Sequence, residues 1–190
     1  MKDDTSHIVT VFGSSRPAPG DPDYVLAECL GKELAGAGFT VCNGGYGGIM
    51  EASARGAKKA GGKTLAVVSS SFAGKAANRW SDEAVIMNSL VDRMMKLVEL
   101  GDAYVILKGG TGTLLEFAAV WEFMNKKTMR EKPIVLLGDF WGGVVDTLKE
   151  ELTWEGLEDC TKYVTMALTP EECSRFLREK LSGVSERQTP

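Results

Sequence analysis

The chain holds a single histidine, His7, among 190 residues. One imidazole excludes a histidine-based catalytic triad and a multi-histidine metal site within one subunit. The four cysteines, Cys29, Cys42, Cys160 and Cys173, form no C-x-x-C pair and no disulfide framework, so a reducing, cytoplasmic setting and no metal are expected. No apolar run reaches the length of a membrane span, and the polar opening from Met1 to His7 lacks the apolar stretch of a secretion signal. Basic residues are outnumbered, 22 against 26 acidic, which leaves a net charge of −4 and a pI near 5.2. Neither a broad nucleic-acid surface nor an anionic-membrane surface is expected from that balance.

What is present suits one soluble α/β domain: 44% hydrophobic and 25% charged residues, over a length that supports a substantial core. Short β-rich runs at Ile8 to Phe12, Phe39 to Cys42, Thr64 to Val68, Ala84 to Met87, Ala103 to Leu107, Ile134 to Leu137 and Tyr163 to Ala167 read as strands. Helical periodicity covers Tyr24 to Ala37, Ile49 to Ala60, a Ser89-capped run to Leu100, the stretch after Gly112, Trp141 to Leu152, and Pro170 to about Leu181. In the Ser89-capped helix, Leu90, Met94, Leu97 and Val98 are expected to face the core, with Arg93 and Lys96 on another face. The alternation predicts a doubly wound parallel sheet of about six or seven strands with helices on both faces, a Rossmann-like single domain over 1–182, followed by a frayed polar tail over 183–190. Between Ser69 and Asp82 the pattern breaks into a loop holding Lys75, Arg79 and Trp80, read either as a functional segment or as a plain crossover.

Sheets of this type bind ligands beyond the carboxyl ends of their strands. Three turns rich in small residues fall there: Gly13-Ser14-Ser15-Arg16, Asn43-Gly44-Gly45-Tyr46-Gly47-Gly48 and Gly109-Gly110-Thr111-Gly112-Thr113. The third joins a buried strand to a helix, an arrangement that offers free N–H groups and the positive end of the helix dipole to a phosphate. Thr113 and Glu116 have the spacing of a capping box, with Thr113 as N-cap. No Lys-Ser/Thr pair follows the last glycine, so the turn is not a Walker A loop. Gly110-Thr111-Gly112 also lacks the third glycine of a dinucleotide fingerprint. Pyridoxal chemistry has no identifiable Schiff-base lysine, and no cofactor is expected.

Asn43-Gly-Gly-Tyr-Gly-Gly-Ile-Met-Glu51 and Lys108-Gly-Gly-Thr-Gly-Thr-Leu-Leu-Glu116 together resemble the LOG (Lonely Guy) family, often labelled lysine decarboxylase-like, over about residues 8–150. The resemblance implies a Rossmann-like fold, a homodimer, and a phosphoribohydrolase that cuts the N-glycosidic bond of cytokinin riboside 5′-monophosphates or AMP to free base and ribose 5-phosphate. It places the phosphate cradle on Gly109, Gly110, Thr111, Gly112 and Thr113. The other two turns, through Gly13, Ser14, Ser15, Gly44 and Gly45, complete the binding set, and the catalytic carboxylate is Glu116. The family's Arg-Lys pair maps its arginine to Arg93, but Met94 stands where the lysine would be, with Lys96 nearby. Lys108 replaces the motif's proline. A related branch of the family carries molybdenum cofactor without catalysis, so an enzyme and a carrier of a phosphorylated ligand are both open.

Glycosidic cleavage builds positive charge on the ribose, which a nearby carboxylate stabilises. Glu116 has that role in this reading and also orients or activates water. For Arg93 two roles stand open, phosphate binding and stabilisation of the departing base. Its alternative is a solvated helix charge. The breadth of the apolar surface on the motif helix, through Phe117, Trp121, Phe123 and Met124, is a second reason to expect a homodimer.

Overall fold

The computed structural model describes residues 6–72 and 76–182. Lys75 of the expected loop and the expected tail 183–190 lie outside the described residues. Seven parallel strands form one sheet in the order β4-β3-β2-β1-β5-β6-β7. They are β1 (Ile8–Phe12), β2 (Thr40–Asn43), β3 (Thr64–Ser69), β4 (Glu83–Met87), β5 (Ala103–Ile106), β6 (Ile134–Leu137) and β7 (Val164–Ala167). The helices are α1 (Pro22–Gly36), α2 (Ile49–Lys59), α3 (Leu90–Leu100), α4 (Thr111–Asn125), α5 (Gly142–Trp154) and α6 (Pro170–Ser182), with a 3-10 helix at Glu158–Tyr163.

The central strands are buried on both faces, and their alternating side chains build two cores. Val9, Val11, Val105 and Val135 pack under α1, α2 and α6, against Leu30, Leu34, Ala52 and Leu177. Phe12, Tyr104, Ile106 and Leu136 point the other way, toward Leu97 of α3, Phe117 and Trp121 of α4, and Trp141 before α5. The strand order reverses between β1 and β5, which pair with Phe12 opposite Ile106. A crevice opens there because the connections leave these two strands on opposite sides of the sheet.

Pro22 opens α1, where its missing N–H costs nothing. Three local readings are corrected. Leu90 and Met94 do not face the core: Leu90 is half exposed, and both line a cavity. Arg93 is not a solvated charge, since it is buried. Phe117, Trp121 and Met124 are covered within the chain, with the Trp121 indole N–H donating to the Cys160 carbonyl at 3.0 Å, so this stripe is satisfied inside one subunit.

Among its described residues, 70–72 and 76–82, the β3–β4 crossover has no helix. Its two strands run parallel, and residues 70–82 make the connection. Asp82 fastens the end of that segment by accepting from the Thr64 backbone N–H at 2.9 Å. Among the described residues, no helix is long and apolar enough to cross a membrane.

Candidate functional site

The carboxyl ends of β1 and β5 are tied directly, with Ser14 N donating to the Lys108 carbonyl at 3.0 Å. The Ser14 carbonyl in turn accepts from Ile49 N at 2.9 Å, which brings the start of α2 to the same place. Gly48 makes that junction possible. Its φ is +67°, and a Cβ there would collide with the Ser14 and Ser15 backbone. The three small-residue turns thus meet around one cavity of about 630 Å³.

Of the expected binding residues, Gly13, Ser14, Ser15, Gly44, Gly110, Thr111, Gly112 and Thr113 line the cavity, together with Glu116 and Arg93. Gly45 does not; it is buried at positive φ against Val68 and Ala66, where it shapes the turn. Gly109 does not either. A Cβ there would meet the Thr113 side chain, so its bareness lets the turn close on itself. The N-cap of α4 is Gly110, not Thr113, and no side chain caps it. Thr113 lies buried within the first turn, and the capping box is not formed. The first N–H groups of α4 therefore have no side-chain partner at the cavity wall, a fit for an anion.

Arg93 reaches inward from α3. Its Nε donates to the Val67 carbonyl at 2.8 Å and its Nη2 to the Gly44 carbonyl at 3.0 Å. The guanidinium carbon lies 5.2 Å from the centroid of the Tyr46 ring, a cation–π contact. The remaining nitrogen, Nη1, faces Glu116 Oε1 at 3.8 Å. Glu116 projects from one turn inside α4, and its side chain is only 16% exposed. Burial pushes its carboxyl up to about 7, with the attraction of Arg93 acting in the opposite direction. A carboxyl so placed changes charge near neutral pH.

The two departures from the LOG motif differ in kind. Lys108 turns away from the cavity into a separate lobe, where it pairs with Asp23 at 3.3 Å and lies over the Phe140 ring. Met94 lines the cavity itself. Lys96 does not stand in for the absent lysine, as its ammonium pairs with Glu99 at 3.0 Å. With Leu90, Val91, Leu115, Met50 and Phe72, Met94 makes the cavity's far wall apolar. Sequence reasoning named none of these as site residues. Tyr46 was also missed, although its position between glycines of the second turn was a usable signal. Among the described residues, no group of three or more His, Cys, Asp or Glu side chains could hold a metal ion.

Comparison with known proteins agrees with this architecture. The model of the SLOG cluster4 family matches residues 6–173. A cytokinin riboside 5′-monophosphate phosphoribohydrolase from Rhodococcoides fascians is 34% identical over 140 residues, covering 71% of this chain and 69% of the relative. The Mycobacterium tuberculosis protein of the same name is 32% identical over 136 residues, covering 70% and 71%. Among solved structures, the molybdenum cofactor binding protein of Rippkaea orientalis superposes with a TM-score of 0.72 at 28% identity, over 93% of this chain and 98% of that one. A Moco carrier protein from Chlamydomonas reinhardtii, 21% identical with a TM-score of 0.71 over 94% and 99%, shares the fold. With a family match that spans all seven strands and both glycine motifs, this chain belongs to the SLOG cluster4 family, a LOG-like family.

Proposed function

We propose that the protein is a nucleoside 5′-monophosphate phosphoribohydrolase of the cytokinin-riboside-monophosphate or AMP type. The observation that carries this reading is the buried Glu116 carboxyl beside Arg93, in the same cavity as the open N-terminus of α4. The 5′-phosphate sits on the Gly110–Thr113 backbone. That anchor holds the ribose over Glu116, one turn further along the helix. As the bond between C1′ and the base nitrogen breaks, the electron pair leaves with the base and positive charge spreads over C1′ and the ring oxygen. Ionised Glu116 stabilises that charge. Water then adds its oxygen to C1′, and its proton balances the base. Arg93 already spends its Nε and Nη2 on backbone carbonyls, and its Nη1 faces Glu116, so in this reading it acts on the catalytic carboxylate, a role beside the two expected of it, phosphate binding and stabilisation of the departing base.

The test is direct. Incubation with AMP and with an N6-prenylated AMP should release free base and ribose 5-phosphate in equal amounts, while the matching nucleosides react far less. A second reading, a non-catalytic carrier of a phosphorylated ligand such as molybdenum cofactor, is favoured by the similarity to the Rippkaea orientalis structure. Nucleotide binding without base release would select it.

Removing the guanidinium should cost about 100-fold or more in turnover. Arg93→Ala also leaves the buried Val67 and Gly44 carbonyls without this donor, so unfolding midpoints should fall as well. Gly44→Ala reaches the same end from the other side, because a Cβ at Gly44 would occupy the guanidinium's place. Both variants should lose rate more than affinity for AMP. A Gly44→Ala enzyme as fast as wild type would disconnect Arg93 from the chemistry.

The reading includes a homodimer. Since the Phe117–Trp121–Met124 stripe is internal, the face that supports it is instead Leu90, Val91 and Met95 of α3 with Leu115 of α4, all exposed beside the cavity. Sedimentation should give a dimer at micromolar concentration, and Val91→Asp with Leu115→Asp should give monomers. A wild-type monomer would contradict this part alone. A cytoplasmic location is part of the same proposal and fits the four free thiols.

A further inference from the structure

We infer that Tyr46 is a positioning residue whose ring holds the Arg93 guanidinium against the Glu116 carboxyl. This rests on the reading of Arg93 and Glu116 as the reacting pair of the site, and nothing in the glycine-turn motif assigns Tyr46 such a task.

Tyr46 lies in the second turn, which runs on from β2 alongside β3. Its hydroxyl accepts from Ser69 N at 2.9 Å and is placed to donate to the Ser69 carbonyl at 3.4 Å, so the phenol is fixed to the end of β3. Its own carbonyl accepts from the Asn78 side-chain amide at 3.1 Å. Phe72 meets the ring edge-on, with centroids 5.6 Å apart. The partners of Arg93 belong to the same two segments: Val67 precedes Ser69 by two residues, and Gly44 precedes Tyr46 by two. The phenol thus staples the second turn to β3, and the guanidinium rests on the stapled ring with Nη1 turned to Glu116. Without the ring, the guanidinium keeps two hydrogen bonds but loses the surface that sets its tilt.

The consequence is electrostatic. Arg93, from α3, is the charge that acts on Glu116. Among the described residues, Arg16, after β1, is the other cation lining the cavity. The Cys42 thiol, on β2 beneath Arg93, is pushed up to about 12 by burial and stays neutral. A guanidinium that drifts from Glu116 therefore leaves burial less opposed, and the carboxyl holds its proton to higher pH.

The experiment is a carboxyl titration by NMR on 13C-glutamate-labelled protein, with the Glu116 signal assigned by its absence in Glu116→Gln. Tyr46→Leu and Tyr46→Met should raise the Glu116 midpoint by about half a unit or more, whereas Tyr46→Phe, which keeps the ring, should stay close to wild type. In an Arg93→Ala background, Tyr46→Leu should add nothing. Using two aliphatic replacements guards against one that fails to fold. The titration needs no turnover, so it tests the inference even where base release is absent and the hydrolase reading fails. Where base is released, the pH limb of kcat/KM should move with the midpoint. An unchanged midpoint in folded Tyr46→Leu or Tyr46→Met protein, or a shift that persists without Arg93, overturns the inference.

Discussion

Glu116→Gln is expected to lower AMP turnover by roughly 100- to 1,000-fold while AMP affinity changes little. Glutamine keeps the size of the side chain and one acceptor oxygen but has no negative charge to set against the developing oxocarbenium. The charge matters most at the transition state, so the loss should appear in kcat and leave ground-state binding nearly intact. The pH dependence supplies a second signature. The carboxyl titrates near pH 7, so the ionised fraction in wild type climbs through the range from about 6 to 8. Wild-type kcat/KM should rise about tenfold per pH unit on the acid side and level off above the midpoint, and that limb should vanish in Glu116→Gln. A wild-type profile flat across this range, or a glutamine variant with undiminished rate, removes Glu116 from the chemistry.

The same side chain should affect stability in the opposite sense. Its folded value, about 7, lies above the ordinary carboxyl value of 4.5. The folded protein therefore holds this proton more tightly than the unfolded chain does. The resulting contribution is fully present below the unfolded value and is lost as pH rises through the folded one. At pH 8 the ionised, buried Glu116 costs on the order of 3 kcal/mol, against less than about 1 kcal/mol at pH 5. Urea unfolding should show Glu116→Gln more stable than wild type at pH 8, with most of the gain gone at pH 5. Loss of activity together with gain of stability is the signature of a group held for function.

The sheet was legible because its strands are short, β-branched and buried on both faces, as in Ile8 to Phe12 and Ile134 to Leu137. The glycine turns were legible because they follow those strands directly. What the sequence hid depended on contacts distant along the chain. Arg93 reads as one more charge on an amphipathic helix, and only its distant acceptors at Val67 and Gly44 show it buried. Leu90 and Met94 fit an inward stripe equally well, yet the crevice at the β1–β5 reversal exposes them to the cavity instead. The Thr113 capping box failed because α4 begins three residues earlier than that cap requires, at Thr111, and takes Thr113 into its buried first turn. The breadth of the α4 apolar surface, which suggests a homodimer in the sequence, needs no second subunit. Trp141 and the segment around Cys160 cover it inside the chain.

Gly112→Val should raise the dissociation constant for AMP by about 100-fold or more without unfolding the protein. The reason lies in space, not in backbone conformation. Gly112 is not among the positive-φ glycines, so valine can adopt its dihedral angles. A Cβ at Gly112 meets no heavy atom within 4 Å, so the wild-type fold has room for a side chain there. That room belongs to the cavity wall at the second residue of α4, where an incoming phosphate must approach the backbone N–H groups. Valine also has a better helix propensity than glycine, so thermal stability should hold or rise slightly. Gly109→Ala is the contrasting control. Its Cβ would press into the Thr113 side chain and distort the turn, so stability and binding should fall together. Calorimetric titration with AMP and with adenosine separates the phosphate term from the rest: Gly112→Val should abolish the preference for AMP and leave the weak adenosine binding in place. A folded Gly112→Val protein that binds AMP as tightly as wild type would put the phosphate somewhere other than the α4 N-terminus.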